Sequence, residues 1–282
     1  GDKERVRVIA FENSFHGRTL GALSMTGTAK YREGFGPLGP VTHVAYGDVD
    51  GVERAMGADV CAIIVEVLQG EGGVVPAPKG FLERLRAIAD SHGALLLVDE
   101  VQTGIGRLGH FLGLSAGDVR GDAVALAKGL GGGFPIGCML TTEGLAGALP
   151  PGSHGSTFGG NALACAAALA VLRILDDEKR IDGAGAKGEV LRKLLEQLVR
   201  DLPGVCEGVR GRGLLWGLVL RPGLIAREVL AAVQSEGVLI MPAGERVLRF
   251  APPLVVSTAE LEEGVRAVSR ALSGSASVRA AG

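Results

Sequence analysis

The chain has 282 residues, 47% of them hydrophobic, which is enough for a substantial core in one large domain or two smaller ones. Lys plus Arg number 29 and Asp plus Glu 31, and the resulting charge of -2, with no basic run and few aromatic platforms, excludes the composition of a nucleic-acid binder. Cys61, Cys138, Cys165 and Cys206 lack C-x-x-C spacing, and no apolar run has the length of a membrane span, so zinc, disulfide and membrane readings drop out and a cytoplasmic protein with free thiols is expected.

The chain opens on Gly1-Asp-Lys-Glu-Arg and enters a strand pattern at once, with no initiator Met or signal-peptide pattern. It is therefore expected to begin inside a larger domain. Strands are predicted at Val6–Phe11, Cys61–Val67, Ala94–Val98, Ala123–Ala127 and Ile136–Thr141, whose Val, Ile and Leu content predicts a parallel sheet buried on both faces. Between two of them, Gly80–Asp90 is an amphipathic helix with Phe81, Leu82, Leu85, Ile88 and Ala89 on one stripe and Gly93 as its C-cap. Strand, helix and strand in this order indicate α/β architecture.

A long helix is predicted from Asn161 through Leu175, and the polar stretch Asp176–Lys187 reads as a boundary. This divides the chain into a large domain, 1–175, and a small one, 176–282. The latter reads as α+β, with helices at Leu191–Leu202, Ala226–Glu236 and Ala259–Leu272 and strands at Gly213–Leu220 and Val247–Phe250. The Gly/Ala/Ser-rich tail after Ser273 is expected to fray.

The stretch Leu95–Gly109 carries Gly104-x-Gly106-x-x-Gly109, a pattern shared with dinucleotide-binding turns. Such a turn must follow its strand directly and open a helix. Here Asp99–Gln102 intervene, and no helical pattern follows Gly109, so the glycines are read as a tight loop. The acids are better placed. Asp99 ends an apolar strand, where open α/β sheets bind ligands and where a carboxylate needs a partner. A second apolar strand ends in Lys128, followed by Gly129-Leu-Gly-Gly-Gly133, and a desolvated lysine there would be nucleophilic toward carbonyls. A structural salt bridge and a snorkelling lysine are the bland alternatives. Together the two residues point to a pyridoxal phosphate site.

At this point the sequence resembles the class III (ornithine-type) aminotransferases, and within them the branch acting on acetylornithine. The motifs are Phe15-His-Gly-Arg-Thr19, Glu66-Val-Leu-Gln-Gly-Glu-Gly-Gly73, Asp99-Glu-Val-Gln102, Lys128-Gly-Leu-Gly-Gly-Gly-Phe-Pro135, Gly155-Ser-Thr-Phe-Gly-Gly-Asn161 and Arg249-Phe-Ala-Pro-Pro-Leu254. The resemblance implies the aspartate aminotransferase-like fold of type I pyridoxal-phosphate-dependent transferases. It makes Lys128 the Schiff-base lysine and Asp99 the partner of the pyridinium nitrogen. Phe15 stacks on the ring, Val101 packs beneath it and Gln102 reaches the ring hydroxyl. Glu66 supports that end, and Glu100 belongs to the same cofactor-binding run. Thr157 contacts the phosphate of the neighbouring subunit, which implies a homodimer with shared active sites. Arg18 and Ser156 contact acetylornithine, Arg249 grips a substrate carboxylate, and Glu71 pairs with Arg249 when that carboxylate is absent. No metal is implied.

The implied reaction moves the side-chain amino group of N-acetylornithine to 2-oxoglutarate, a step of arginine biosynthesis. It gives N-acetylglutamate semialdehyde and glutamate, with Lys128 as base and acid. His16 favours the acetylornithine branch, since ornithine-specific relatives tend to carry Trp there. Succinylornithine, ornithine, aminoadipate-semialdehyde and 4-aminobutyrate stay open as substrates, as does a truncated, non-catalytic fragment. The family pattern extends roughly a hundred residues before Val6 and includes a phosphate-cradling Gly-Thr loop absent here. Val67 and Leu108 also depart from it, standing where Pro and Thr are usual.

Overall fold

A computed structural model describes residues 3–117 and 119–280. Among them the strands are β1 (Arg7–Phe11), β2 (Val41–Val44), β3 (Val60–Glu66), β4 (Leu68–Gln69), β5 (Val75–Pro76), β6 (Leu95–Asp99), β7 (Ala123–Leu126), β8 (Cys138–Thr141), β9 (Cys206–Arg212), β10 (Leu215–Leu220), β11 (Met241–Ala243) and β12 (Val247–Phe250). The α-helices are α1 (Leu20–Met25), α2 (Val49–Ala55), α3 (Phe81–His92), α4 (Glu143–Ala146), α5 (Ala162–Asp177), α6 (Arg180–Asp201), α7 (Ala226–Ser235) and α8 (Thr258–Ala280). They form two compact units. The first takes in the chain to Gln69, Ala77–Ile105 and Phe111–Glu178; the second takes in Gly70–Pro76, Gly106–His110 and the chain from Lys179. The second unit is thus made of three segments, two of which the sequence reading assigned to the large domain.

The first unit is built on a six-stranded sheet in the order β2-β1-β3-β6-β7-β8. β1 pairs in parallel with β2 and β3, and β3, β6 and β7 continue in parallel. Its core contains Ile9, Phe11, Ile63, Val65, Leu96 and Val98, all buried. Phe81 and Leu85 of α3 close over this face, and Phe11, Tyr46 and Phe81 meet edge to face with centroids 5.4–5.7 Å apart. Gly93 ends α3 in the left-handed conformation (φ 58°), the C-cap its position predicts.

β8 departs from the expected parallel sheet. It runs antiparallel to β7, and Met139 and Leu140 are exposed. The connection from Leu126 to Cys138 holds only a 3-10 turn at Lys128–Gly131, too little for the crossover a parallel partner needs, so the chain simply reverses.

The second unit has a four-stranded antiparallel sheet, β11-β12-β10-β9, packed with α6, α7 and α8. Its core includes Leu191, Leu195, Leu214, Leu218, Val233, Leu248 and Val268. Where a boundary is expected at Asp176–Lys187, α5 and α6 are separated by little more than Lys179, which turns left-handed (φ 47°). α6 begins at Arg180 because Ala184 and Gly188 continue the buried stripe of Leu191, Leu195 and Leu198. A Cβ on Gly188 would lie 2.1 Å from the Gly213 carbonyl oxygen. The helix therefore needs a residue of poor helix propensity at that position. α8 also outruns its expected end, staying helical to Ala280 where fraying is expected.

Candidate active site

The chain passes from β1 outward to β2, then returns to the other side of β1 to lay down β3, β6 and β7 in order. This is the topological switch at which open α/β sheets bind ligands, beyond the carboxyl ends of the strands. Several of the expected residues of the first unit gather there. β1 runs into Ser14-Phe15-His16, β3 ends at Glu66, β6 ends at Asp99, and β7 leads through Ala127 into Lys128. Glu66 and Asp99 are direct neighbours across β3 and β6, and Asp99 faces Ala125 of β7.

Both acids are buried, Glu66 at 4% exposure and Asp99 at 8%. Burial of a carboxylate is tolerable only with partners. Asp99 Oδ2 lies 2.8 Å from His16 Nδ1, and Asp99 Oδ1 accepts from the Val101 N–H at 3.0 Å. Glu66 Oε2 accepts from the Phe15 N–H at 3.3 Å, and the Tyr46 hydroxyl donates to the Glu66 carbonyl at 2.7 Å. Burial, and secondarily Glu66, pushes the Tyr46 phenol well above its ordinary range, so it stays a donor.

His16 is the member the sequence reading left out of the site, using it only to separate branches of a family. Its imidazole is enclosed, with the side chain 1% exposed. Its backbone N–H is pinned by Thr26 Oγ1 at 3.0 Å. Nε2 is buried and has no hydrogen-bond partner among the described residues, which leaves Nδ1–H as the proton that satisfies Asp99. The sequence signal was the His-Gly after an aromatic at a strand end; the missing information was which acid it faces.

Lys128 sits in the left-handed region (φ 44°), a strained backbone for a side chain with a Cβ and the kind of outlier that gathers at functional sites. Its side chain is exposed, so the desolvation expected of a nucleophilic lysine is not supplied by the described residues.

Glu100 is among the expected cofactor-binding residues. Its carboxylate is 1% exposed and turned into the loop after β6, accepting from Thr103 Oγ1 at 2.5 Å, Gly113 N–H at 3.0 Å and Leu114 N–H at 2.7 Å. It fastens that loop. Val101 and Gln102, half-buried, form the turn beyond Asp99. Ser156 and Thr157 lie in an exposed segment, where Ser156 Oγ accepts from the Gly159 N–H at 3.0 Å, and neither is brought to Asp99.

The dinucleotide reading fails its structural test. After β6 come turns, and the first helical residues are the short 3-10 segment Gly113–Gly117, so no helix opens at Gly109. The glycines answer to packing. A Cβ on Gly104 would meet Leu126 Cδ2 at 2.7 Å, and one on Gly106 (φ 85°) would meet Ile181 Cγ1 at 3.0 Å.

In the second unit Glu71 and Arg249 form a close pair, Arg249 Nη1 to Glu71 Oε1 at 2.6 Å, with side chains 13% and 28% exposed. Arg249 projects from β12, whose neighbours are β10 and β11. Arg107, carrying a guanidinium shifted down by burial, donates to the carbonyls of Leu214 (3.0 Å) and Pro252. Lys187 donates to the Leu254 carbonyl. These two cations hold the segment that follows Arg249.

The donor set fits a cationic aromatic ring that carries a carbonyl. A held carboxylate suits a ring N–H, Phe15 offers an aromatic face, and Lys128 offers an amine. For a phosphate the first unit offers only the exposed Ser156 and Thr157 of the expected residues. Among the described residues no cluster of His, Cys, Asp or Glu could hold a metal ion, and no helix is long and apolar enough to cross a membrane.

Comparison with known proteins agrees with this chemistry. The model of the class III aminotransferase family matches residues 1–272. The acetylornithine aminotransferase of Myxococcus xanthus is 50% identical over 264 residues, which is 93% of this chain and 65% of that protein. A succinylornithine transaminase/acetylornithine aminotransferase of Pseudomonas aeruginosa is 43% identical over 95% of this chain and 67% of its own length. Among solved structures, an ornithine aminotransferase of Toxoplasma gondii with partial occupancy of PLP at its active site superposes with a TM-score of 0.91 at 35% identity, covering 97% of this chain and 65% of that one. The chain thus spans about two thirds of the length of the relatives it matches.

Proposed function

This chain belongs to the class III aminotransferases, and from that premise we propose that it transfers the side-chain amino group of N-acetylornithine to 2-oxoglutarate with pyridoxal phosphate as cofactor. The observation that carries the reading is the buried Asp99, oriented by His16 and Val101 beside Glu66 at the switch point of the sheet, with Lys128 at the end of the next strand. The 50% identity to the Myxococcus acetylornithine aminotransferase supports the substrate.

When bound, pyridoxal phosphate supplies the electron sink and the carbonyl that carries the amino group between substrates. The protein's part is binding, orientation and proton movement. Asp99, its two oxygens already fixed, accepts the ring N–H and keeps that proton in place. Phe15 and Val101 would pack against the cofactor ring, and Glu66 and Gln102 would hold its hydroxyl. Lys128 Nζ would hold the cofactor at its carbonyl end and would be the group that takes a proton from the substrate's δ-carbon. Arg18 and Ser156 hold the acylated end. Arg249 exchanges Glu71 for a substrate carboxylate, which its planar fork suits.

Thr157 reaches the phosphate of a second copy in a homodimer. The exposed Phe134, Met139, Leu140, Phe158, Leu163 and Leu169 give this part of the first unit the apolar character of a subunit interface. The enzyme is assigned to the cytoplasm, which its four free thiols suit. Succinylornithine is the second substrate reading, favoured by the double name of the Pseudomonas relative.

The test is spectroscopic. Pyridoxal phosphate added to the purified chain, and to a form extended to the length of its relatives, should give the visible band of lysine-bound cofactor. The band should vanish in Lys128→Ala and bleach more readily with N-acetylornithine than with ornithine. No band in either form overturns the cofactor; equal bleaching by ornithine overturns the substrate.

A further inference from the structure

We infer that Tyr31 is a specificity-determining residue. Its ring holds the Arg18 guanidinium over its face and leaves that group's donors for the carboxylate of the acylated amine. The inference rests on the aminotransferase reading and deepens it at the substrate end.

The placement begins in the backbone. The segment after α1 folds back on the carboxyl end of β1. The Gly27 N–H donates to Ser14 Oγ at 2.9 Å and to the Ser14 carbonyl at 3.1 Å, and Thr28 Oγ1 reaches the same carbonyl at 3.4 Å. Gly27 is required there, since a Cβ would stand 2.0 Å from the Phe11 carbonyl oxygen. The 3-10 turn Ala29–Tyr31 follows and sets the Tyr31 ring edge-on against Phe15, with centroids 5.7 Å apart and planes at 83°.

Arg18 lies over this pair. Its Cζ is 4.2 Å from the Tyr31 centroid and 5.4 Å from that of Phe15. A guanidinium at the shorter distance is held by the ring's negative face, without using its N–H donors. Among the described residues Arg18 forms no ion pair and no hydrogen bond, and it is exposed. An arginine held over a ring with its donors unspent is a ready receptor for a carboxylate. The Lys30 ammonium lies 5.4 Å from the same ring, so two cations share one aromatic platform.

That charge explains why acylation should matter. Free ornithine brings an α-ammonium toward Arg18 and Lys30, a like-charge contact, whereas the acylated amine brings a neutral amide beside its carboxylate. Discrimination then depends on Arg18 being held in place, and Tyr31 holds it.

The experiment uses Tyr31→Phe and Tyr31→Leu in the cofactor-loaded protein, with N-acetylnorvaline as a probe that has the acylated end and no side-chain amine. Tyr31→Phe keeps a ring face and should bind the probe within about twofold of the parent, while Tyr31→Leu should bind it about fivefold more weakly by calorimetry. The same change should raise KM for N-acetylornithine by about fivefold with kcat within about twofold, and leave ornithine unchanged. Unchanged probe binding in Tyr31→Leu, with the visible band intact, overturns the inference; so does an equal loss in Tyr31→Phe. NMR of the cofactor-free chain gives a separate arm. The Arg18 side-chain protons, identified by their loss in Arg18→Lys, should show a ring-current shift that persists in Tyr31→Phe and disappears in Tyr31→Leu. No shift in the parent overturns the stacking itself. No visible band in the parent or in the form extended to the length of its relatives overturns the proposed function instead.

Discussion

Replacing Glu100 with alanine should unfasten the loop after β6. The magnitude follows from its contacts. The carboxylate is 1% exposed and accepts from Thr103 Oγ1, Gly113 N–H and Leu114 N–H at 2.5, 3.0 and 2.7 Å. Each hydrogen bond to an ionised acceptor is worth about 1.5–3 kcal/mol, and each donor left buried costs about 1–3 kcal/mol. The three do not add, because the loop can open to water, so a loss of about 3–5 kcal/mol is expected, the scale for breaking a buried charged network. Glu100→Gln keeps one acceptor oxygen but turns an N–H toward a donor, and should lose about 1–3 kcal/mol. Urea unfolding followed by circular dichroism measures the loss. Amide exchange localises it, since Gly113 and Leu114 should lose protection before the β6 amides do. An alanine variant within about 0.5 kcal/mol of the parent, with Gly113 and Leu114 exchanging at parental rates, would refute the structural role given to Glu100.

Two glycines of α6 should respond to alanine with opposite sign. Gly185→Ala, whose Cβ meets nothing within 4 Å, should stabilise by about 0.5–1 kcal/mol, while Gly188→Ala, aimed at the Gly213 carbonyl, should destabilise by about 1–3 kcal/mol, both read from urea midpoints. Asn161→Ala removes the cap whose Oδ1 accepts from the Ala164 N–H at 2.9 Å, and should lower stability by about 1 kcal/mol in the same assay. Burial raises the Cys206 thiol to about 11 from 9.0. A thiol raised in the folded state keeps its proton while the unfolded chain loses it, so stability should fall as pH rises from 9 to 11. Cys206→Ser should flatten that dependence in pH-scanned urea melts. In native alkylation followed by mass mapping, exposed Cys138 should react first and Cys206 last.

The parallel sheet and the pair Asp99 and Lys128 were legible because apolar strands that end in a charged residue stand out against any background. The mix of helices and strands in the last third was legible as an α+β unit, but the antiparallel direction of its sheet was not. Other features carried no such mark. β2, Val-Thr-His-Val, is an edge strand of four residues with mixed character. The first turns of α6 hide their stripe because its two positions there are Ala184 and Gly188, small residues chosen by close backbone approach. His16 meets its partner Asp99 across 83 residues, and no local pattern encodes that meeting. The reach of Glu100 into the loop ahead of it depended on side-chain direction, which spacing does not fix.

The second unit's three-segment composition has a consequence for how the protein is made and cut. Arg210 donates to the Gly73 carbonyl at 2.7 Å, and the Leu214 N–H donates to the Arg107 carbonyl at 2.9 Å. During synthesis, residues 70–76 and 106–110 leave the ribosome before β9 and β10, so the bonds from Arg210 and Leu214 to their carbonyls can replace bonds to water only after those later residues emerge. Neither a nascent chain stopped at Glu178 nor a subclone begun at Lys179 contains that unit whole. Gene fusions, domain transplants and limited proteolysis that treat the C-terminal third as a separable module would sever it from two of its own parts.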